Sequence, residues 1–274
     1  EKIYKSKVKP ILEKEGVRVL MKLPVLSQMV MNKIREELVN AFGGEFYQVI
    51  IGGAAFNKEV EAFFKKIGFP VTVGYGMTEC APIITYDDWN VEKLYSCGKA
   101  APNLEIRIDS SDPANVPGEI LVRGANVFLG YFKNDDATDS VFTDDGWFKT
   151  GDMGVIDEDG CLFIKGRTKC MILGPSGQNI YPEEVETVIN SQPYVVDSLV
   201  VEDNGGLTAL IYPDFAQGAK DGMNQDVFIK FMEDTLPELN KELPNYAKLK
   251  KIEIMSEDFE RTPKKSIKRY LYQR

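Results

Sequence analysis

The chain passes from strand to helix and back to strand within residues 48–79, which read QVIIGGAAFNKEVEAFFKKIGFPVTVGYGMTE. The apolar run 48–51 stops at two glycines and is typical of a buried strand, and 70–73 repeats that pattern. Between them, Asn57 is suited to cap a helix that Gly68 closes. Apolar residues recur there at the spacing of one helical face, namely Val60, Phe63, Phe64 and Ile67. The order strand, helix, strand predicts an α/β unit with a right-handed parallel crossover.

Two glycine-containing loops, 52–55 and 74–79, directly follow the two predicted strands. Ligands of α/β sheets bind at the carboxyl ends of the strands. We therefore expect a binding site where these two loops meet. Residues 1–44, upstream of the unit, are predicted to be rich in helix.

From about residue 95 the hydrophobic pattern changes from helical spacing to alternation, with strands predicted around 104–108, 118–123 and 153–165. This middle region predicts an antiparallel sheet or a small barrel. Beyond it, Pro182 suits the first position of a helix, and 203–206 carries a hairpin signal between two strands. A capped helix after Asn224 and a last strand at 251–255 complete the pattern.

The predicted fold class is therefore α/β, in the mixed α+β sense, with three parts. The end of an α/β sheet lobe extends to about residue 95, and a barrel-like antiparallel β subdomain covers about 96–166. A small α+β lobe covers 167–274. The stretch 166–169 is the expected interdomain boundary.

The composition is that of an ordinary globular protein, with 43% hydrophobic and 27% charged residues in 274. The 33 basic and 42 acidic side chains give a net charge of −9, which argues against general binding to nucleic acid. Peripheral contact with a membrane through a local patch is left open, as is the oligomeric state. Histidine is absent, which excludes histidine-based triads, imidazole metal sites and histidine bases within this chain.

The sequence favours a cytoplasmic setting. The first ten residues are charged and lack an apolar signal region, and no run approaches the roughly 18 apolar residues of a membrane span. The four cysteines form no CxxC pair, so buried free thiols are expected rather than a zinc site.

Two motifs carry groups suited to a nucleotide. In 74–79, GYGMTE, the glycines permit close approach of backbone to a ligand, Tyr75 offers a flat face to a base, and Glu79 is an oxygen ligand suited to Mg²⁺. In 146–152, GWFKTGD, Asp152 could accept both hydroxyls of a ribose. The structural alternatives are a tight turn with a solvated glutamate in the first motif and a hairpin turn in the second.

Two further motifs are basic. Arg167, within 166–169, is a second candidate partner for ribose or phosphate, or else part of a charged linker. The tail 261–269 is strongly basic in an acidic protein, so it could meet a polyanion, or it is a solvated basic segment.

Taken together in this order and spacing, the motifs closely resemble the C-terminal half of the adenylate-forming superfamily, which includes acyl-CoA synthetases, peptide-synthetase adenylation domains and luciferases. The resemblance covers about residues 48 to 270. It runs through Gly52-Gly53-Ala54, Tyr75 to Glu79, Pro117 to Ile120, Gly130-Tyr131, Trp147 to Asp152, Gly166 to Lys169, Asn179 to Glu186 and the basic tail. Gln178 to Glu186 and Thr262-Pro263 most resemble bacterial long-chain fatty acid–CoA ligases that form AMP.

The resemblance implies a two-step reaction in which a fatty acid attacks ATP to give acyl-AMP, and coenzyme A then displaces AMP. It implies that residues 1–166 are the C-terminal part of a large domain and that 167–274 is a mobile lobe hinged at Lys169. Nucleotide-binding residues by resemblance are Gly53, Ala54, Ala55, Gly74, Tyr75, Gly76, Met77, Thr78, Asp152 and Arg167. Among them, Thr78 contacts the α-phosphate, and Glu79 is the implied Mg²⁺ ligand. Phosphoryl chemistry needs fixed positive charge more than a base, so the lack of histidine is compatible with it.

Two departures from the family pattern bear on activity. The Ser/Thr/Gly-rich phosphate loop of the family is missing, so we expect a fragment that is inactive alone. The adenylating lysine of the family aligns with Ser266, so a neighbour is expected to replace it, with Lys265 preferred over Lys264 and Lys268, unless another cation serves. The alternatives are a fatty acyl-AMP ligase that loads a carrier protein and a non-catalytic nucleotide-binding module.

Overall fold

A computed structural model describes residues 4, 8–12, 14–20, 22–174, 177–263 and 266–274. The chain forms two compact units. The first comprises Glu1–Thr150 and Gly154–Ile164, and the second comprises Gly151–Met153 and Lys165–Arg274. No helix in the described ranges combines the length and the apolar character that crossing a bilayer requires.

The first unit begins with helices and a parallel strand pair, as the sequence predicts. In chain order these are α1 (Lys9–Leu12), α2 (Glu15–Leu20), α3 (Pro24–Ala41), β1 (Val49–Ile51), α4 (Lys58–Ile67) and β2 (Val71–Val73). The Asn57 side chain accepts a hydrogen bond from the Val60 amide at 3.1 Å, and Gly68 ends α4 in the left-handed conformation at φ 66°. β1 and β2 pair in parallel, so their carboxyl ends lie side by side.

The middle of the chain is mainly antiparallel. One sheet holds β3 (Tyr75–Gly76), β4 (Ile83–Tyr86) and β5 (Lys99–Ala100). The other has the order β6 (Leu104–Asp109), β7 (Gly118–Gly124), β8 (Phe148–Ile156), β9 (Leu162–Arg167), with helix α5 (Asp135–Val141) between β7 and β8. The fold class is confirmed, although the described strands of this middle region form two separate sheets and no closed barrel, so the barrel-like description was loose.

The second unit packs helices on a three-stranded sheet. Its elements are β10 (Ile172–Leu173), β11 (Asn179–Ile180), α6 (Pro182–Asn190), β12 (Val195–Asp203), β13 (Gly206–Pro213), α7 (Phe215–Lys220), α8 (Gln225–Asp234), α9 (Leu236–Glu242) and β14 (Leu249–Ile254). β12 and β13 form the predicted hairpin, whose turn residues Asn204 and Gly205 both have positive φ. β14 runs parallel to β13, and apolar residues from the helices pack on the sheet in the larger of two hydrophobic clusters.

Candidate functional site

The two glycine-containing loops meet at the carboxyl edge of β1 and β2. The Gly74 amide donates to the Ile51 carbonyl at 2.8 Å, and a Cβ placed on Gly52 would lie 3.1 Å from the Gly74 carbonyl oxygen. Residues 52–55 are exposed, and Gly53 has a φ of 89° that favours glycine. The predicted adenine-pocket residues Gly53, Ala54 and Ala55 thus border the start of the 74–79 loop.

Gly74 and Gly76 serve close packing within the chain itself. A Cβ on Gly74 would lie 2.9 Å from the Ile50 Cγ2 atom, and one on Gly76 would lie 1.9 Å from the Pro82 carbonyl oxygen. Tyr75, between them, is only 8% exposed and packs in the core of the first unit. The two glycines therefore allow a tight return of β4 onto β3, a role that the sequence prediction of ligand approach did not include.

The Thr78–Cys80 segment is a single 3-10 turn that follows β3 and the half-buried Met77. Thr78 is exposed and Glu79 is half-buried, so both predicted phosphate and metal groups reach the surface. The Glu79 carboxylate accepts a hydrogen bond from the Tyr131 hydroxyl at 3.2 Å. Over the described residues, no group of three or more acidic or cysteine side chains is arranged to hold a metal ion.

Asp152 and Arg167 come together within the second unit. Arg167 Nε lies 3.6 Å from Asp152 Oδ1, with the aspartate side chain 16% and the arginine side chain 68% exposed. This pairs a sheltered carboxylate with an accessible guanidinium, which can bind neighbouring hydroxyls and an anion. Lys169, the predicted hinge, is exposed within the 3-10 turn Thr168–Cys170 that follows β9.

The basic tail forms a short antiparallel hairpin. Arg261 and Ile267 form a β-bridge, and the Thr262 amide donates to the Ser266 carbonyl at 2.8 Å. Lys264 and Lys265 lie outside the described residues. Lys268 forms an ion pair with Glu260 at 3.1 Å, which raises the pKa of the lysine.

The sequence did not predict an ion pair in the second unit between the buried Glu186 and the half-buried Arg269. Glu186 is 8% exposed, accepts a hydrogen bond from the Val200 amide at 2.7 Å and contacts the Arg269 guanidinium. Burial raises the pKa of Glu186 to about 7, although the guanidinium opposes the shift. Both residues lie in stretches that the sequence singled out, but the pairing joins positions 83 residues apart and has no local signal.

A cavity of about 220 Å³ lies elsewhere in the second unit, beside β10 and β11. Its polar lining includes Glu202, Asn245, Tyr246, Lys248 and Lys250. The two lysines give this cavity the chemistry to hold a small anionic group.

The class of protein follows from two family models. The model of AMP-binding enzymes matches residues 4–132, and the model of the AMP-binding enzyme C-terminal domain matches residues 171–274. The chain therefore belongs to the AMP-binding enzymes, the adenylate-forming superfamily, as the resemblance of its motifs predicts.

Two relatives are similar to this chain over about two thirds of its length. Long-chain-fatty-acid–CoA ligase FadD15 of Mycobacterium bovis is 36% identical over 188 residues, which cover 69% of this chain and 30% of that protein. The 2-succinylbenzoate–CoA ligase of Bacillus cytotoxicus is 39% identical over 183 residues, covering 63% of this chain and 37% of that protein. The matched part of the chain thus spans about a third of the length of these relatives.

Two solved structures are similar in fold to this chain. The o-succinylbenzoate coenzyme A synthetase of Bacillus subtilis, in complex with ATP and magnesium ion, matches with a TM-score of 0.69 and 28% identity. That match covers 86% of this chain and 49% of the other. ATP-bound MatB from Rhodopseudomonas palustris matches with a TM-score of 0.66 and 30% identity, covering 82% and 44% respectively.

Proposed function

We propose that the protein carrying this chain is an AMP-forming acyl-CoA ligase that activates a carboxylic acid with ATP and transfers the acyl group to coenzyme A. The observation that carries the proposal is the exposed 52–55 turn set against Gly74, with Thr78 and Glu79 exposed or half-buried one turn further on. This edge lies where α/β sheets bind ligands. Both named relatives, FadD15 and the 2-succinylbenzoate ligase, are CoA ligases.

Candidate nucleotide contacts are proposed for each unit by itself. Gly53, Ala54 and Ala55 would border the adenine, and Thr78 would meet the α-phosphate. Asp152 would accept the ribose hydroxyls with Arg167 beside it, and its 16% exposure supports this role because a sheltered carboxylate accepts stronger hydrogen bonds. Burial of the Tyr75 ring to 8% leaves only a small part of it for contact with a base.

The residues present fit a magnesium ion that arrives with ATP. Mg²⁺ is usually held by one or two carboxylates together with substrate phosphates and water, and Glu79 supplies one such carboxylate. The lack of a three-carboxylate group among the described residues argues against an all-protein cage rather than against this mode. When bound, the ion would supply positive charge that offsets the negative charge developing on phosphate.

For the acid, we propose a long-chain fatty acid. The support is the FadD15 match over 69% of this chain, together with the likeness of residues 178–186 and 262–263 to long-chain ligases. The 2-succinylbenzoate ligases are comparably similar over a slightly shorter stretch and define the competing acid. Both acids would be activated by the same nucleotide chemistry.

The test uses the full-length protein with ATP, Mg²⁺ and a panel of acids that includes palmitate, octanoate and 2-succinylbenzoate. Acid-dependent exchange of pyrophosphate into ATP reports acyl-AMP formation, and mass spectrometry of added coenzyme A reports the thioester. We expect both signals, and the highest turnover with palmitate. Exchange without thioester would point instead to an acyl-AMP ligase with a carrier-protein acceptor. Nucleotide binding without exchange would refute the ligase activity.

A further inference from the structure

The loop at 126–131 is fastened to the 3-10 turn that carries Glu79. The Asn126 side-chain amide donates to the Cys80 carbonyl at 2.6 Å, and the Phe128 amide donates to the Glu79 carbonyl at 2.8 Å. The third contact is the Tyr131 hydroxyl, which donates to Glu79 Oε1 at 3.2 Å. Two contacts thus fix the backbone of the turn, while Tyr131 is the one that fixes the Glu79 side chain.

Tyr131 is itself held in place from both sides. Its amide donates to the Thr138 hydroxyl of α5 at 2.9 Å, and its ring meets the edge of Phe128 with centroids 4.9 Å apart. The preceding Gly130 has a φ of 148°, and a Cβ there would lie 2.6 Å from the Thr138 Cγ2 atom. Only glycine therefore allows the chain to pass α5 closely enough for this hydrogen bond.

The chemistry of the pair leaves one carboxylate oxygen available. In the described part of the chain, Glu79 Oε1 accepts from Tyr131, and Oε2 accepts no hydrogen bond from a protein group. A glutamate side chain otherwise loses conformational freedom when it is fixed on a ligand, and a prior hydrogen bond reduces that loss.

We propose that Tyr131 is a positioning residue for Glu79, holding Oε1 so that Oε2 is presented to the divalent cation that accompanies the nucleotide. The proposal rests on the proposed function, because it assumes that Glu79 meets that cation. On this proposal, the Tyr131 hydroxyl strengthens ATP binding when Mg²⁺ is present. It contributes nothing to the binding of ATP without Mg²⁺.

The experiment measures ATP binding by calorimetry on the full-length protein, in excess Mg²⁺ and in chelator without Mg²⁺. The ratio of the two affinities is the coupling between metal and nucleotide. For Tyr131→Phe we expect the ratio to fall about three- to tenfold, which is the size expected for loss of one ordinary hydrogen bond. Affinity for ATP without Mg²⁺ should stay unchanged, which a general structural defect would not produce.

Tyr47→Phe is the matched control, because the Tyr47 hydroxyl also donates to a carboxylate, that of Asp88, in the same unit but outside the proposed site. It should leave the ratio unchanged. Glu79→Gln should remove most of the coupling. If Glu79→Gln retains it, the metal role of Glu79 in the proposed function is wrong, and the role of Tyr131 falls with it. If Glu79→Gln loses the coupling while Tyr131→Phe keeps it, only the positioning role is refuted.

Discussion

Glu61 gives the first unit a stability that should depend on pH. The side chain lies on α4 and is only 4% exposed, and Oε1 accepts a hydrogen bond from the Tyr95 amide. Burial, and to a lesser degree the neighbouring Glu92 carboxylate, raises the pKa of Glu61 from 4.5 to about 7. The folded unit therefore prefers this carboxyl group protonated.

The sign of the effect follows from proton binding. Between pH 4.5 and about 7 the folded state holds a proton that the unfolded chain has released, so the free energy of unfolding falls as pH rises. The stabilisation is complete below pH 4.5 and is lost above about pH 7. The gap between the two pKa values corresponds to about 3 kcal/mol, an order-of-magnitude figure.

The perturbation is Glu61→Gln, which keeps the shape and an oxygen to accept from Tyr95 but cannot ionise. We expect the variant to match the wild type near pH 4 and to exceed it by about 3 kcal/mol near pH 8. Urea unfolding followed by tryptophan fluorescence is the assay, because Trp89 and Trp147 both lie in the first unit and are the two tryptophans of the chain. Glu37→Gln, at an exposed position on α3, controls for the loss of charge as such.

The reasoning is refuted if the free energies of unfolding of Glu61→Gln and wild type differ by the same amount at both pH values. It would mean that the carboxyl group titrates alike in the folded and unfolded states, despite its burial. A pH dependence that persists unchanged in the variant would assign the effect to another group, such as Glu92, whose pKa is also raised by burial.

Three further predictions concern the full-length protein. Asp152→Ala should weaken ATP binding about tenfold or more in calorimetry, since a carboxylate hydrogen bond contributes about 1.5–3 kcal/mol; unchanged affinity would remove this residue from the site. Lys169→Pro, which fixes φ, should spare adenylation and slow thioester formation, and an equal loss of both would show that the pivot lies elsewhere. Lys265→Ala should slow adenylation by two to three powers of ten, as for loss of about 3–4 kcal/mol of fixed charge, yet spare transfer from supplied acyl-AMP. Lys264→Ala and Lys268→Ala should be milder in single-turnover assays, and wild-type adenylation in all three would place the cation elsewhere.

Local signals predicted α4 well because every determinant lies within it: a capping asparagine, an apolar stripe and a closing glycine. The same periodicity could not predict that Glu61 is buried, because its position lies outside the stripe. The segment that buries Glu61 lies further along the chain. Its Tyr95 amide, which donates a hydrogen bond to Glu61, is 34 residues away in sequence. The local spacing of residues therefore cannot predict that a distant segment buries an acidic side chain.

The sequence likewise predicted some features of the candidate site and not others. The sequence predicted the 52–55 and 74–79 loops at one sheet edge, and the parallel pairing of β1 and β2 places them there. It also predicted a role in ligand approach for Gly74 and Gly76, whereas their missing side chains make room for the chain's own backbone at residues 82 and 85. Tyr131 was recognised only as part of a motif, since its contact with Glu79 spans 52 residues.

The anchoring of the tail bears on which cation serves adenylation. Arg261 Nη2 lies 2.9 Å from Asp197 Oδ2, and Arg269 contacts the buried Glu186, so an arginine fixes each leg of the hairpin to the second unit. Lys268 lies on one of these legs, in an ion pair with Glu260. Moving it to a phosphate would require giving up that partner, which costs part of the charge stabilisation that it would supply. The ion pair thus makes Lys268 the less suited cation, and Lys265 stays the proposed adenylating lysine.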